Sequence, residues 1–164
     1  MIYRITPEEL KKEDIKHYDV FVFGSNESGI HGSGAALFAY SELGFPYGQG
    51  FGMRQQDNAF AIPTKDWQIK TLPLEVIEFY VQRFIKFASL GSMTKFYVTQ
   101  IGCGLAGYIP KDIAPMFRDA ISLENVYLPL CFWEILDYQE NKFEIDSEVR
   151  EARARHDRQD GKDI

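Results

Sequence analysis

The sequence is short of the residues that would place it outside the ordinary globular class. Among 164 residues there are two cysteines, Cys103 and Cys131, and three histidines, His17, His31 and His156. Two cysteines cannot build a disulfide scaffold, and the scattered histidines stand at no zinc-ligand spacing, so neither a disulfide framework nor a metal is expected. No apolar run reaches the length of a membrane span. The charged start, Met1 to Asp14, lacks the apolar stretch of a signal peptide. Positive charge is also in deficit, with 18 Lys and Arg against 24 Asp and Glu and a net charge of −6. That excludes a protein that coats nucleic acid by neutralising phosphates. The expectation is a cytoplasmic protein with reduced thiols and no membrane partner.

Aromatics, by contrast, are abundant: 13 Phe, 9 Tyr and 2 Trp make up 15% of the chain. Each buried ring removes a large apolar area from water, so a sizeable core is within reach of one domain. Asp19–Gly24, Ala59–Pro63, Phe96–Ile101 and Val126–Ile135 are short apolar runs that read as buried strands. Pro63 marks a strand end and Pro129 an edge or bulge.

Helical spacing lies between these runs. Ser33–Leu43 sets Ala36, Leu37, Tyr40 and Leu43 on one side and stops at Gly44. Pro73–Leu90 repeats Ile77, Tyr80, Val81, Phe84, Ile85 and Ala88 at three- and four-residue intervals, and Phe79, Phe84, Phe87 and Phe96 read as core. Pro110–Ala120 starts on a proline and buries Ile113, Met116 and Phe117. Strands alternating with helices predict an α/β fold with a largely parallel sheet. The domain spans residues 1–138. From Glu140 the 25 remaining residues hold eight acidic and six basic side chains. Residues 139–164 therefore read as a charged tail, helical over Asp146–Arg158 and frayed at its end.

Two glycine-rich stretches each sit between a strand and a helix. The first, Gly24-Ser-Asn-Glu-Ser-Gly-Ile-His-Gly-Ser-Gly-Ala-Ala36, is either a tight βα turn or a ligand loop, and its four glycines exceed what one turn requires. It lacks the terminal G-K-[ST] of a P-loop and does not fit G-x-G-x-x-G. The second is Ile101-Gly-Cys-Gly-Leu-Ala-Gly-Tyr108. Side by side at the strand C-termini, the two would face one cleft and grip a diphosphate. A third, Tyr47-Gly-Gln-Gly-Phe-Gly52, is a mobile connection or a cover over substrate. Phe51, Trp67 and Tyr108 are candidates to stack on a base or ribose. Cys103 has no histidine at activating spacing and reads as inert.

G-S-N-x-x-G-x-H-G-x-G-A-A, then I-P-T-K-D-W before a long helix, then I-G-C-G-L-A-G resemble the macrodomain family, which binds ADP-ribose. The likeness runs from about Asp19 to Leu136 and is nearest the branch of terminal ADP-ribose protein glycohydrolases and O-acyl-ADP-ribose deacylases; short chains of this kind also resemble a phage-encoded group. It implies a three-layer α/β/α sandwich with a mostly parallel, mixed sheet. It implies that Ser25 and Asn26 line the distal-ribose end, that Gly32, Ser33, Gly34 and Ala35 face the diphosphate, that Gly102, Cys103, Gly104, Leu105, Ala106 and Gly107 oppose them, and that His31 is a further ligand-binding residue.

Lys65 matches the lysine that attacks the ribose C1″ in the glycohydrolases, a role that suits a desolvated amine; read alone, it is a surface lysine at a strand end. Two positions depart from the pattern. Ala106 stands where those enzymes carry an acid/base aspartate, and the G-D pair that recognises adenine is missing. Glu27, His31, Asp66 and Asp112 are the replacement acid/base candidates. The implied partner is a small ADP-ribose-type ligand or an ADP-ribosylated macromolecule, with nucleic acid only in that modified form and no cofactor. The implied activity is binding, with hydrolysis at the distal ribose through Lys65 or, as the alternative, a non-catalytic reader or sponge.

Overall fold

The computed structural model describes residues 3–91 and 93–161. Four strands, β1 (Val20–Asn26), β2 (Ala59–Lys65), β3 (Phe96–Val98) and β4 (Val126–Tyr127), form a sheet in the order β2-β1-β3-β4, and every neighbouring pair is parallel. Among the described residues, antiparallel pairing occurs only at the isolated bridges Gly52–Ala61 and Lys65–Thr71. Four α-helices accompany the sheet: α1 (Gly34–Leu43), α2 (Leu74–Ala88), α3 (Pro110–Ile113) and α4 (Leu130–Asp160). The arrangement is three-layered α/β/α.

Alternation along the central strands divides the core between two faces. Val20 and Val22 of β1 and Phe60 and Ile62 of β2 point to the larger side, against Ile77, Val81, Phe84 and Ile85 of α2, the 3-10 segment Ala114–Ala120, and Phe132, Trp133 and Leu136 of α4. Phe21, Phe23, Ala59 and Ala61 point the other way, towards Ala36 and Ala39 of α1 and Phe45. This smaller face corrects the expected side of α1. Leu37 and Tyr40 are exposed and the buried residues are alanines, because three phenylalanine rings already fill the space between helix and sheet.

Other boundaries shift for local reasons. The run from Val126 to Ile135 is not one strand: Val126 and Tyr127 pair with β3, Leu128 adds an isolated bridge to Ile5, and Pro129 stands just before α4 rather than at a bulge. An apolar run buried on all sides reads alike as strand or helix. Likewise β3 ends at Val98 and Thr99–Ile101 turns away. Pro110–Ala120 is one α-turn followed by a 3-10 stretch that begins at Ala114; Pro115 there has no amide to donate to a helical ladder. Phe79 and Phe87 are exposed, Phe79 lying under the Arg83 guanidinium.

The N-terminal residues close the sheet's far edge. Thr6 donates to the Leu128 carbonyl, and Leu128 donates to that of Arg4. The Arg4 guanidinium reaches the carbonyls of Val126 and Ile121, and the Trp133 indole donates to the Arg4 carbonyl. Helix α4 continues unbroken through position 138, where burial ends: Leu136 is 1% exposed and Tyr138 69%. Residues 162–164, expected to fray, lie outside the described residues. Among those described, no helix is long and apolar enough to cross a membrane.

Phe84 packs edge-on to Phe60, Phe96 and Phe117 and is fully buried. Phe84→Ala is expected to lower stability by about 3–5 kcal/mol, read from urea unfolding with the slope unchanged.

Candidate functional site

The chain leaves β1 for β2 on one side and later returns to β3 on the other, so the C-terminal ends of β1 and β3 diverge. Open α/β sheets form their ligand crevice where the strand order reverses in this way. A cleft of about 530 Å³ lies there, within the range of small-molecule sites. Its walls are the first glycine loop and α1 start on one side, and Thr99–Ala106 on the other, with Thr64, Lys65 and Ile69 at the β2 end.

Asn26 organises the first loop. Its Oδ1 accepts from Ser28 Oγ at 2.8 Å and the Ile30 amide at 3.0 Å, and its Nδ2 donates to the Ile30 carbonyl at 2.7 Å. The side chain thus closes a compact turn rather than reaching for a ligand. From there the chain enters α1 through Ser33, whose hydroxyl makes no capping bond. Three amides of the first helical turn, Gly34, Ala35 and Ala36, have no intrahelical acceptor and line the cleft. Across from them, the amides of Gly104, Leu105 and Ala106 have no backbone acceptor among the described residues. Two stretches whose amides have no backbone acceptor among the described residues therefore border one space, beside the positive end of a helix.

Lys65 is aimed by an irregularity in the strand pair. Ser25 is opposite Pro63, but Asn26 is opposite Lys65, so Thr64 is the extra residue of a bulge. Such a kink re-aims a side chain. Pro63 is accommodated because β2 is the edge strand. Lys65 lines the cleft, and its ammonium has no hydrogen-bond or ion-pair partner among the described residues. Among the described residues, no other ionisable side chain lines the cleft.

The cleft gathers eleven of the expected site residues: Ser25, Asn26, Gly32, Ser33, Gly34, Ala35, Lys65, Gly102, Gly104, Leu105 and Ala106. Gly107, at a φ of +88°, is not among the lining residues. His31 also stays out. It is wholly buried among Phe23, Phe45 and Tyr47, with Nε2 3.1 Å from the Pro46 carbonyl and no partner for Nδ1. That carbonyl can only accept, so Nε2 carries a hydrogen and donates it. Cys103 packs against the main core, and burial pushes its thiol up to about 11, which removes it as a nucleophile.

The remaining acid/base candidates are occupied elsewhere. Glu27 accepts from the Tyr80 hydroxyl at 2.7 Å, and burial together with that carboxylate pushes the phenol up to about 12. Asp66 accepts from the amides of Gln68 and Lys70, and Asp112 from that of Ile109. None of the three stacking candidates lines the cleft either. Phe51 packs on Phe60 and Tyr80, the Tyr108 hydroxyl donates to the Leu72 carbonyl, and Trp67 is exposed.

The third glycine loop is a buttress. A Cβ on Gly29 would collide with the Gly48 backbone, and one on Gly50 with the Asn26 and Glu27 carbonyls. Gly52 pairs with Ala61 in both directions. Sequence reasoning missed Thr64, Ile69, Thr99 and Gln100 on the cleft walls. Thr99 and Gln100 follow the end of β3, where the crevice rule would have found them. Ile69 carries no such signal; it holds a φ of +63°, a conformation that β-branched residues rarely adopt.

No protein-family model matches the chain, and no curated protein matches it. A solved structure of a protein of unknown function from Bacteroides thetaiotaomicron is similar to it, with a TM-score of 0.54 and 14% identity over 70% of this chain and 88% of that one. At that identity the likeness speaks to the fold alone.

Burial lowers the His31 pKa below its usual 6.5. The unfolded chain then binds the proton that the folded chain refuses, so stability is full above about pH 6.5 and falls as the pH drops below it. His31→Phe is expected to flatten this decline relative to the parent, measured as the melting temperature between pH 7.5 and 5.5.

Proposed function

We propose that the cleft binds an ADP-ribose-type nucleotide and acts as a reader or sequestering module. In this reading the diphosphate lies between the α1 N-terminus and the Gly104–Ala106 amides, and Lys65 supplies the matching charge. The observation that carries it is the composition of the cleft: two bordering stretches whose amides have no backbone acceptor, with Lys65 as the sole ionisable lining side chain among the described residues. The donors suit an anion approached from both sides. The nucleoside part rests on the resemblance of the G-S-N, P-T-K and I-G-C-G-L-A-G stretches to the macrodomain family.

A hydrolase needs more than this lining offers. Attack by Lys65 on a ribose C1″ requires a group to accept and return protons, and Ser25, Ser33, Thr64, Thr99, Asn26 and Gln100 titrate nowhere near neutrality. The unpaired Lys65 ammonium is the one feature that favours covalent chemistry, so the test addresses it directly.

Calorimetry with ADP-ribose is expected to show micromolar binding, on the order of −8 kcal/mol. Gly104 has open space around a built Cβ and an ordinary φ, so Gly104→Val adds bulk without strain; it should reduce affinity by at least about tenfold and leave the melting temperature unchanged. Unchanged affinity in that variant would remove the cleft assignment. Lys65→Ala is expected to weaken binding by roughly tenfold, the scale of one charge-assisted hydrogen bond. Borohydride added with ADP-ribosylated protein should trap no Lys65 adduct by mass spectrometry. A trapped adduct, with release of ADP-ribose accelerated in Ala106→Asp, would decide for the hydrolase.

A further inference from the structure

Helix α4 extends roughly 36 Å past Leu136, its last buried residue, at 1.5 Å per residue. A helix of that length, with no packed face, does not hold itself together well in water. Five of the apolar residues in this stretch are regularly spaced. Ile135, Tyr138, Ile145, Val149 and Ala152, with Lys142 in line between them, succeed one another at alternating intervals of three and four residues, the a/d spacing of a coiled-coil seam, while the sequence sets Phe143 and Ala154 off that line. Ile135 is partly buried against the core, and from there the seam runs into solvent: Tyr138, Ile145 and Val149 are 69%, 60% and 43% exposed.

The flanking charges say what covers this seam. With Ile135, Lys142 and Val149 at a, Glu148 falls at g and Arg153 at e. In a parallel pair of helices, g of one chain meets the following e of the other. A two-fold arrangement therefore sets Glu148 against the partner's Arg153 twice, once on each side, as an isologous interface requires. Neither Glu148 nor Arg153 forms an ion pair with another described residue of its own chain. A lone lysine at an a position, here Lys142, is a known means of specifying register and oligomer state at some cost in stability.

We propose that residues 135–155 of α4 form a parallel two-stranded coiled coil with a second copy of this chain, which would carry two clefts on one stalk. The parallel sense aligns Ile145 with the partner's Ile145 and Val149 with the partner's Val149. The inference rests on α4 alone and is independent of what the cleft binds.

Sedimentation equilibrium of the full chain at tens of micromolar is expected to give a dimer. Ile145→Asp with Val149→Asp buries charge in the seam and should raise the dissociation constant by about 100-fold or more, with the melting temperature of the monomeric variant retained by the core. Glu148→Arg sets like charges together and should weaken the dimer by about tenfold; adding Arg153→Glu should restore it. Ala152→Cys, at d, should cross-link to itself on oxidation in the parallel sense. A monomer at every concentration, a dimer indifferent to the seam substitutions, or an Ala152→Cys dimer that fails to cross-link would each overturn the proposal.

Discussion

The cleft depends on backbone packed directly on backbone beneath the first glycine loop. Gly29 lies against Gly48, and Gly50 against the carbonyls of Asn26 and Glu27, at separations that leave no room for a Cβ. This contact fixes the height at which the chain leaves β1. The Asn26 side chain then folds residues 26–30 into one turn, and α1 starts where its free amides border the cleft. Any side chain in that layer would lift the loop and misplace the donors. The aromatic cage around His31 supports the same region from behind, since Tyr47 stacks on the ring and the Pro46 carbonyl accepts its hydrogen bond.

The site has a division of labour that differs from the impression its motifs give. Most of its polar side chains serve the loops. Asn26 closes a turn, the Thr64 hydroxyl donates to the Ser25 carbonyl, and that of Thr99 to the Val22 carbonyl. What remains free among the described residues is main chain, the Ser33 hydroxyl, the Gln100 side-chain amide and one lysine. Such a cleft recognises shape and charge distribution well, because rigid amides need no reordering on binding. It offers little proton traffic, because the carboxylates and the imidazole near it in sequence are all committed to structural bonds.

Much of the architecture was legible because the strong periodicities are those that burial enforces. The α2 pattern of Ile77, Val81, Phe84, Ile85 and Ala88 survives intact, as do the cores of β1 and β2. The failures share a cause. Val126–Ile135 is apolar throughout, so period alone could not separate a two-residue strand from the start of a helix. On α1 the expected large face is turned outward because Phe21, Phe23 and Phe45, remote in sequence, claim the volume. The outer half of α4 has a seam that a reading of net charge passed over, since eight acidic and six basic residues among 25 mask a regular spacing.

By itself the sequence determined the α/β class, the two glycine loops at strand ends and the lysine that follows Pro63-Thr64. These are local properties: strand and helix periods, and glycine where backbone must come close. Only the tertiary structure decided which residues share the cleft. Whether His31 or Ser33 faces a ligand depends on which side of a turn carries each Cβ. That is set by contacts between Gly29 and Gly48, and between Ser25 and Pro63, which are distant along the chain. No local preference encodes such pairings, because they exist only once the sheet has brought the segments together.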